Sequence, residues 1–130
     1  MPHLQFDINK KLSDNKRKDF INFVQVKFSE IMETGTSHIA VSLREFPKDG
    51  LALGLQKRRG SVCFMNLDVR KGRSKKKKRD LVKCYMKAVT KYFGISKENQ
   101  YLTFTSHPGD DFNTYEKPLS EWMKNDSPLD

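Results

Sequence analysis

From residue 2 to residue 105 the apolar positions keep two rhythms, a period of two and a period of three to four, in the order two, three-to-four, two, and then again. In "PHLQFDIN", residues 2–9, Leu4, Phe6 and Ile8 alternate with His3, Gln5 and Asp7, which predicts a half-buried strand. Ser13 or Asp14 then offers an N-cap. Phe20, Phe23, Val24, Phe28, Ile31 and Met32 follow at helical spacing and mark one face of an amphipathic helix. "ETGTS" ends it, with Gly35 the expected stop, and "HIAVSLREF", residues 38–46, alternates again as a second strand.

The same order returns. "VCFMNLDV", residues 62–69, is apolar and β-prone, and Ser74 caps a helix expected over 75–93. Its stripe is Leu81, Val82, Tyr85, Ala88, Val89, Tyr92 and Phe93, and Gly94 followed by Ile95 fits a left-handed glycine stop. "QYLTFT", residues 100–105, is the fourth strand. Corresponding elements recur at a common spacing of about 60 residues, so one β-α-β unit occurs twice. The fold class is therefore α+β. It is a single domain of pseudo-repeats 2–46 and 61–105 with a tail over 106–130, built as a four-stranded mixed sheet with both helices on one face. The opposite face is expected to be open and fairly apolar, which calls for assembly with further copies. Residues 46–60 read as a basic, Gly-containing loop with room for a short hairpin strand, and "SHPGDD" as a turn. In the tail Phe112, Tyr115, Leu119 and Trp122 are the candidate anchors.

Composition narrows the class. The chain has 130 residues, 36% hydrophobic and 32% charged, and no apolar run near the length of a membrane span. No secretory signal is evident, and the two cysteines, Cys63 and Cys84, have apolar flanks and no metal spacing. A reducing, cytoplasmic setting follows as the expectation. The net charge of +9 is uneven: residues 106–130 hold six acids and two lysines, so residues 1–105 carry +13. Such a body attracts anions.

The densest cations lie in "VRKGRSKKKKRD", residues 69–80. Arg70 and Arg73, around Gly72, fall in the strand-to-helix turn, where two guanidiniums and a helix N-terminus suit a carboxylate. Lys75 to Lys78 are then mostly solvated surface. A nucleic-acid patch is the less favoured reading, because the run is short and no nucleic-acid-binding motif lies beside it. At the other end of the chain Pro2 follows Met1. Removal of Met1 would turn the Pro2 amide into a secondary amine with a reference pKa of about 8. Nearby cations and apolar surroundings would lower that value and leave a neutral base. With Met1 retained, Pro2 has no basic nitrogen.

Taken together, Pro2 after Met1, the doubled unit, "TGTSHIAVSL" and "VRKGRS" resemble the tautomerase superfamily, in particular the branches of macrophage migration inhibitory factor and cis-3-chloroacrylic acid dehalogenase. The resemblance implies a homotrimer and cofactor-free chemistry on a small carboxylate substrate. It makes Pro2 the acid or base, and Arg70 and Arg73 the substrate clamps. Tyr101 matches the tyrosine that opens the fourth strand in the inhibitory-factor branch. Departures go with it. Lys27 and Phe28 stand where the dehalogenases have a histidine, Thr103 where they have a tyrosine, and Thr114 where a glutamate activates water, with Asp110, Asp111 and Glu116 nearby. Thr36 replaces a lysine of the inhibitory-factor branch, and its C-x-x-C motif is absent. His38 and His107 are read as surface or hydrogen-bonded residues. No cluster suggests a metal and no Gly-rich loop a nucleotide. The leading expectation is a tautomerase of a 2-oxo acid. The alternatives are a hydratase, dehalogenase or decarboxylase of a three-carbon acid on the same site, and a cytokine-like binding protein with a vestigial site.

Overall fold

A computed structural model of the chain describes residues 2–54 and 60–119. The elements run in the order β1 (His3–Ile8), α1 (Asp14–Met32), β2 (Ala40–Glu45), β3 (Cys63–Arg70), α2 (Lys75–Phe93) and β4 (Gln100–His107). The strands form one sheet in the order β2-β1-β3-β4. β1 is parallel to β2, β3 is parallel to β4, and the two pairs meet through antiparallel β1 and β3. The sheet is thus mixed, as each β-α-β unit supplies a parallel pair and the units join head to tail.

Both helices pack on the face that carries Leu4, Phe6 and Ile8 of β1 and Cys63, Met65, Leu67 and Val69 of β3, all buried. Phe6 sits under both, with its ring 5.0 Å from Phe20 of α1 and 5.7 Å from Tyr85 of α2. Phe20 in turn meets Phe93 at 4.4 Å. The Tyr85 hydroxyl, deep in this layer, donates to the Val24 carbonyl at 2.9 Å, so the polar end of the ring is satisfied where it is buried.

Local chemistry sets the boundaries. The Ser13 and Ser74 hydroxyls cap α1 and α2 by accepting from the Lys16 and Lys77 amides, and Gly94 closes α2 in the left-handed conformation. α1 stops earlier than Gly35: Glu33 takes the left-handed position, φ 55°. The amides of Glu33 and Thr34 both return to the Ser29 carbonyl, which satisfies the helix end before the glycine is reached. β4 runs two residues beyond the expected end, because Ser106 and His107 continue to pair with Val69 and Arg70. Tail residues Asn113 and Pro118 form an isolated bridge, and Leu119 is buried. Tyr115 is fully exposed, and Trp122 lies outside the described residues. The described part of the 46–60 connection holds no strand.

The face away from the helices differs from the expectation of an apolar surface. Register puts His3, Gln5 and Asp7 of β1 beside Asn66 and Asp68 of β3, with Thr103 and Thr105 of β4 beyond. Gln5, Asn66, Asp68, Thr103 and Thr105 are tied together by hydrogen bonds. Of the strand residues on this face, only Phe64 and Tyr101 carry large apolar rings. The run "VCFMNLDV" reads as apolar because Cys63, Met65, Leu67 and Val69 dominate it, but those four all point to the helices. Among the described residues, no helix is long and apolar enough to cross a membrane.

Candidate active site

Antiparallel pairing of β1 with β3 brings the start of one strand to the exit of the other. His3 pairs with Asp68, so Pro2, one residue earlier, lies beside the end of β3 where Val69 and Arg70 leave the sheet. Pro2 is buried, and its carbonyl accepts the Ala40 amide at 3.1 Å. That bond fixes the first residues of the chain against the start of β2.

From Arg70 the chain turns into α2. The Lys71 amide donates to the His107 carbonyl at 2.8 Å, extending the β3–β4 ladder by one bond. Gly72 then takes φ +100°, a backbone conformation that side chains disfavour. The turn returns Arg73 toward Arg70. Arg73 is half-buried, and its pKa is lowered first by that burial and second by the Arg70 guanidinium. The Arg70 guanidinium thus stands close enough to Arg73 to disfavour its charged form, beside the capped N-terminus of α2.

Arg70 is held from the side of β4. A Cβ built on Gly109 would stand 3.0 Å from Arg70 Nη2 and 3.1 Å from its Cζ and Nε. The guanidinium therefore lies flat against the Gly109 backbone, in space that a side chain would fill. His107 pairs with Arg70 across the strands. Its ring nitrogens face two carboxylates, Asp68 from Nε2 and Asp111 from Nδ1, each at 3.6 Å, and Phe112 meets the ring edge-on at 5.7 Å. Asp68 also accepts from Gln5 and Asn66, at 3.2 and 3.3 Å.

Of the expected site residues, Pro2, Arg70 and Arg73 come together at this end of the sheet. Tyr101 does not join them within one chain. It pairs with Phe64, which pairs with Asp7, five residues along β1 from Pro2, or about 17 Å at the usual strand rise. Half-exposed there, it lines a groove of about 400 Å³ with Asp7, Arg44, Phe64 and Thr103. Arg44 grips Asp7 with two bonds, at 2.7 and 3.0 Å. Of the acids near the tail, Asp111 faces His107, whereas Asp110 and Glu116 are exposed and Thr114 bonds the Lys117 carbonyl. In the lysine run Lys75 and Lys76 are exposed as expected, while Lys77 and Lys78 are half-buried. Lys77 pairs with Glu33 at 2.5 Å and Lys78 lies over the Phe104 ring at 5.4 Å.

Sequence reasoning missed Gly109 and the Asp68–His107–Asp111 group. Strand register places Asp68 on the outward face, but nothing local in the sequence joins it to His107. Among the described residues no group of three His, Cys, Asp or Glu side chains is arranged to hold a metal ion.

No family model and no curated protein matches the sequence. Solved structures do match its fold. Pt0534, solved after inactivation by 2-oxo-3-pentynoate, is 15% identical over 92% of this chain and 96% of its own, with a TM-score of 0.81. A macrophage migration inhibitory factor-like protein from Entamoeba histolytica is 20% identical over 90% of this chain and 97% of its own, at 0.75. N1, a member of the cis-3-chloroacrylic acid dehalogenase family, is 18% identical over 90% of this chain and 82% of its own, at 0.79. The chain shares the fold of these three structures.

Proposed function

We propose that the chain is a cofactor-free tautomerase of 2-oxo acids in which the Pro2 amine, freed by removal of Met1, carries the proton. The observation that carries the reading is the nearness of Pro2 to Arg70 and Arg73. Two guanidiniums beside a buried secondary amine oppose its protonation and hold it toward the neutral base. The same guanidiniums bind the substrate carboxylate through charge-assisted hydrogen bonds. Pro2 then takes the enol hydroxyl proton of the substrate and returns it to carbon, while the cations stabilise the enolate charge that develops between the two steps. The fold shared with Pt0534 supports the substrate class, since its inactivator is itself a 2-oxo acid.

Tyr101 enters this site only from another copy of the chain. β2 and β4 form the two edges of the sheet, and their backbones are open to pairing with neighbours. A homotrimer closed through these edges would line its interior with the polar face and bring one copy's Tyr101 toward the Pro2 of the next. Ketonisation of phenylenolpyruvate by mass-verified protein lacking Met1 tests the reading. Activity should collapse in Pro2→Ala, and KM should rise in Arg70→Ala. Protein with intact Pro2 and no rate above buffer would sink it. The Asp111–His107 pair beside Arg70 supports a second reading, addition of water to a three-carbon unsaturated acid; turnover of cis-3-chloroacrylate that is lost in Asp111→Asn would favour it.

A further inference from the structure

Lys75, Arg79, Lys83, Lys87 and Lys91 follow one another at four-residue spacing along α2, and all five are exposed. Four helical residues advance about 6 Å along the axis and about 40° around it. The five cations thus form a ridge about 24 Å long that winds about 160° across the outer face of the helix. Leu81, Tyr85, Ala88, Val89 and Phe93 occupy the buried side. Asp80 is the one acid in α2, and it pairs with Lys76 at 2.9 Å. Among the described residues no carboxylate forms an ion pair with any of the five.

The fold does not need this ridge. α1 has the equivalent place in the first unit, packs on the same face of the sheet, and mixes Asp14, Asp19 and Glu30 with its four cations. Like charges at i,i+4 weaken a helix, and Lys75 opposes the macrodipole of the first turn. α2 keeps an arrangement that is unfavourable to its own stability, in a position where a balanced surface would serve.

We propose that the ridge binds the phosphodiester backbone of a single-stranded nucleic acid. Evenly spaced cations in a line suit an anion that repeats along a line. The winding separates a strand from a flat anionic surface: a plane touching the helix at Lys83 leaves Lys75 and Lys91 turned about 80° away on either side. A flexible strand can follow the turn. A bilayer would also find little apolar surface to bury on the outer face, since Leu81, Tyr85, Ala88, Val89 and Phe93 lie in the core.

The test is fluorescence anisotropy of a labelled 15-nucleotide oligothymidylate with the full chain between 50 and 200 mM salt. Five neutralised phosphates on a single strand predict a slope of log K against log salt of about −3.5, a loss of about 100-fold in affinity across that range. In the triple variant Lys83→Gln, Lys87→Gln, Lys91→Gln, well along the helix from Arg70 and Arg73, the slope should fall to about −1.4 and the loss to about sevenfold. Ketonisation by that variant should be unchanged, and Lys16→Gln with Lys18→Gln on α1 should leave the slope as it was. An unaltered slope in the triple variant overturns the proposal, as does absence of binding at 50 mM salt. Tighter, ridge-dependent binding to phosphatidylserine vesicles than to the oligonucleotide also overturns it and assigns the ridge to a membrane surface.

Discussion

Replacing Gly109 by alanine should loosen the Arg70 guanidinium while leaving the fold around it in place. The new Cβ would stand 3.0 Å from Nη2 and 3.1 Å from Cζ and Nε, against an ordinary separation of about 3.5–4.0 Å. The guanidinium must therefore retreat by a few tenths of an ångström. The backbone itself accepts alanine, since Gly109 is not among the glycines with positive φ. What moves is the far end of a flexible side chain, so the strain should stay below about 1 kcal/mol, and the lower entropy of the unfolded alanine chain offsets part of it. The melting temperature should shift by no more than about 4 °C.

The effect on substrate should be larger. A hydrogen bond to a charged partner contributes about 1.5–3 kcal/mol. Pulling the fork out of register with a carboxylate forfeits one such bond, or about 10- to 100-fold in affinity. Steady-state ketonisation of phenylenolpyruvate should show this as a rise in KM, with thermal melts run alongside. The double variant with Arg70→Ala isolates the path: if Gly109 acts through Arg70, alanine at 109 should add nothing in that background. Losses that add in the double variant, or an unchanged KM in a folded single variant, would refute the reasoning.

Three further outcomes follow from the packing. Burial first, and the Asp7 carboxylate second, push the Cys63 thiol up to about 12, whereas an unfolded thiol ionises at about 8.5. Stability is therefore fully present below about pH 8.5 and declines toward pH 12, with Tyr85, raised by its burial, adding in the same direction above about pH 10. Unfolding free energies from urea melts at pH 8 and 10.5 should differ by about 2 kcal/mol or more, and by clearly less in Cys63→Ala. Glu33→Gly should raise the melting temperature by about 2–4 °C, because relief of a left-handed non-glycine residue exceeds the exposed Lys77 ion pair it removes; a lower value would show that the ion pair dominates. Asn9→Ala should destabilise by about 2 kcal/mol, since buried Asn9 accepts from the Val62 amide at 2.7 Å and donates to the Lys48 carbonyl at 2.8 Å. Denaturant melts read this, and kcat/KM should stay at the parent value.

What could be read in the sequence was whatever the chain states locally. α2 is the clearest case: Ser74 caps it, five stripe residues bury, and Gly94 ends it, because cap, stripe and stop are all spoken by neighbours in sequence. Glu33 shows the limit. A left-handed glutamate is held by bonds back to Ser29, while the glycine two residues on suggested a later end. Arg70 and Arg73 were legible as a pair by their spacing, and Pro2 by its chemistry, but their meeting depends on the β1–β3 register. Within one chain Tyr101 lies apart from them for the same reason. β4 runs parallel to β3, so the start of β4 lies at the start of β3, far from the exit that holds Arg70. Gly109 carries no local sign at all, because its role is the absence of atoms against a side chain from another strand.

The register also supplies an internal control for the site. β1 and β3 start 60 residues apart, as do β2 and β4, and each parallel pair joins residues 37 apart, His3 to Ala40 and Cys63 to Gln100. The two units are therefore related by a near-twofold axis between β1 and β3, which gives the sheet two equivalent ends. At one end stand Pro2, Arg70 and Arg73. At the other, the same offset puts Val62 in the place of Pro2 and Lys10 in the place of Arg70. There three polar groups have structural partners: the Val62 amide donates to Asn9, Lys10 to the Phe93 carbonyl at 2.6 Å, and the Leu12 amide to Glu45 at 3.0 Å. Val62 is also an interior amide that no processing of the N-terminus can free. One skeleton thus carries two loads. The end built by the middle of the chain is closed with hydrogen bonds that hold the units together. The end built by the start of the chain replaces the lysine with a guanidinium lying on a glycine and the amide donor with a proline. Chemistry is expected at that end because the duplicated position shows what the same geometry looks like when it serves structure alone.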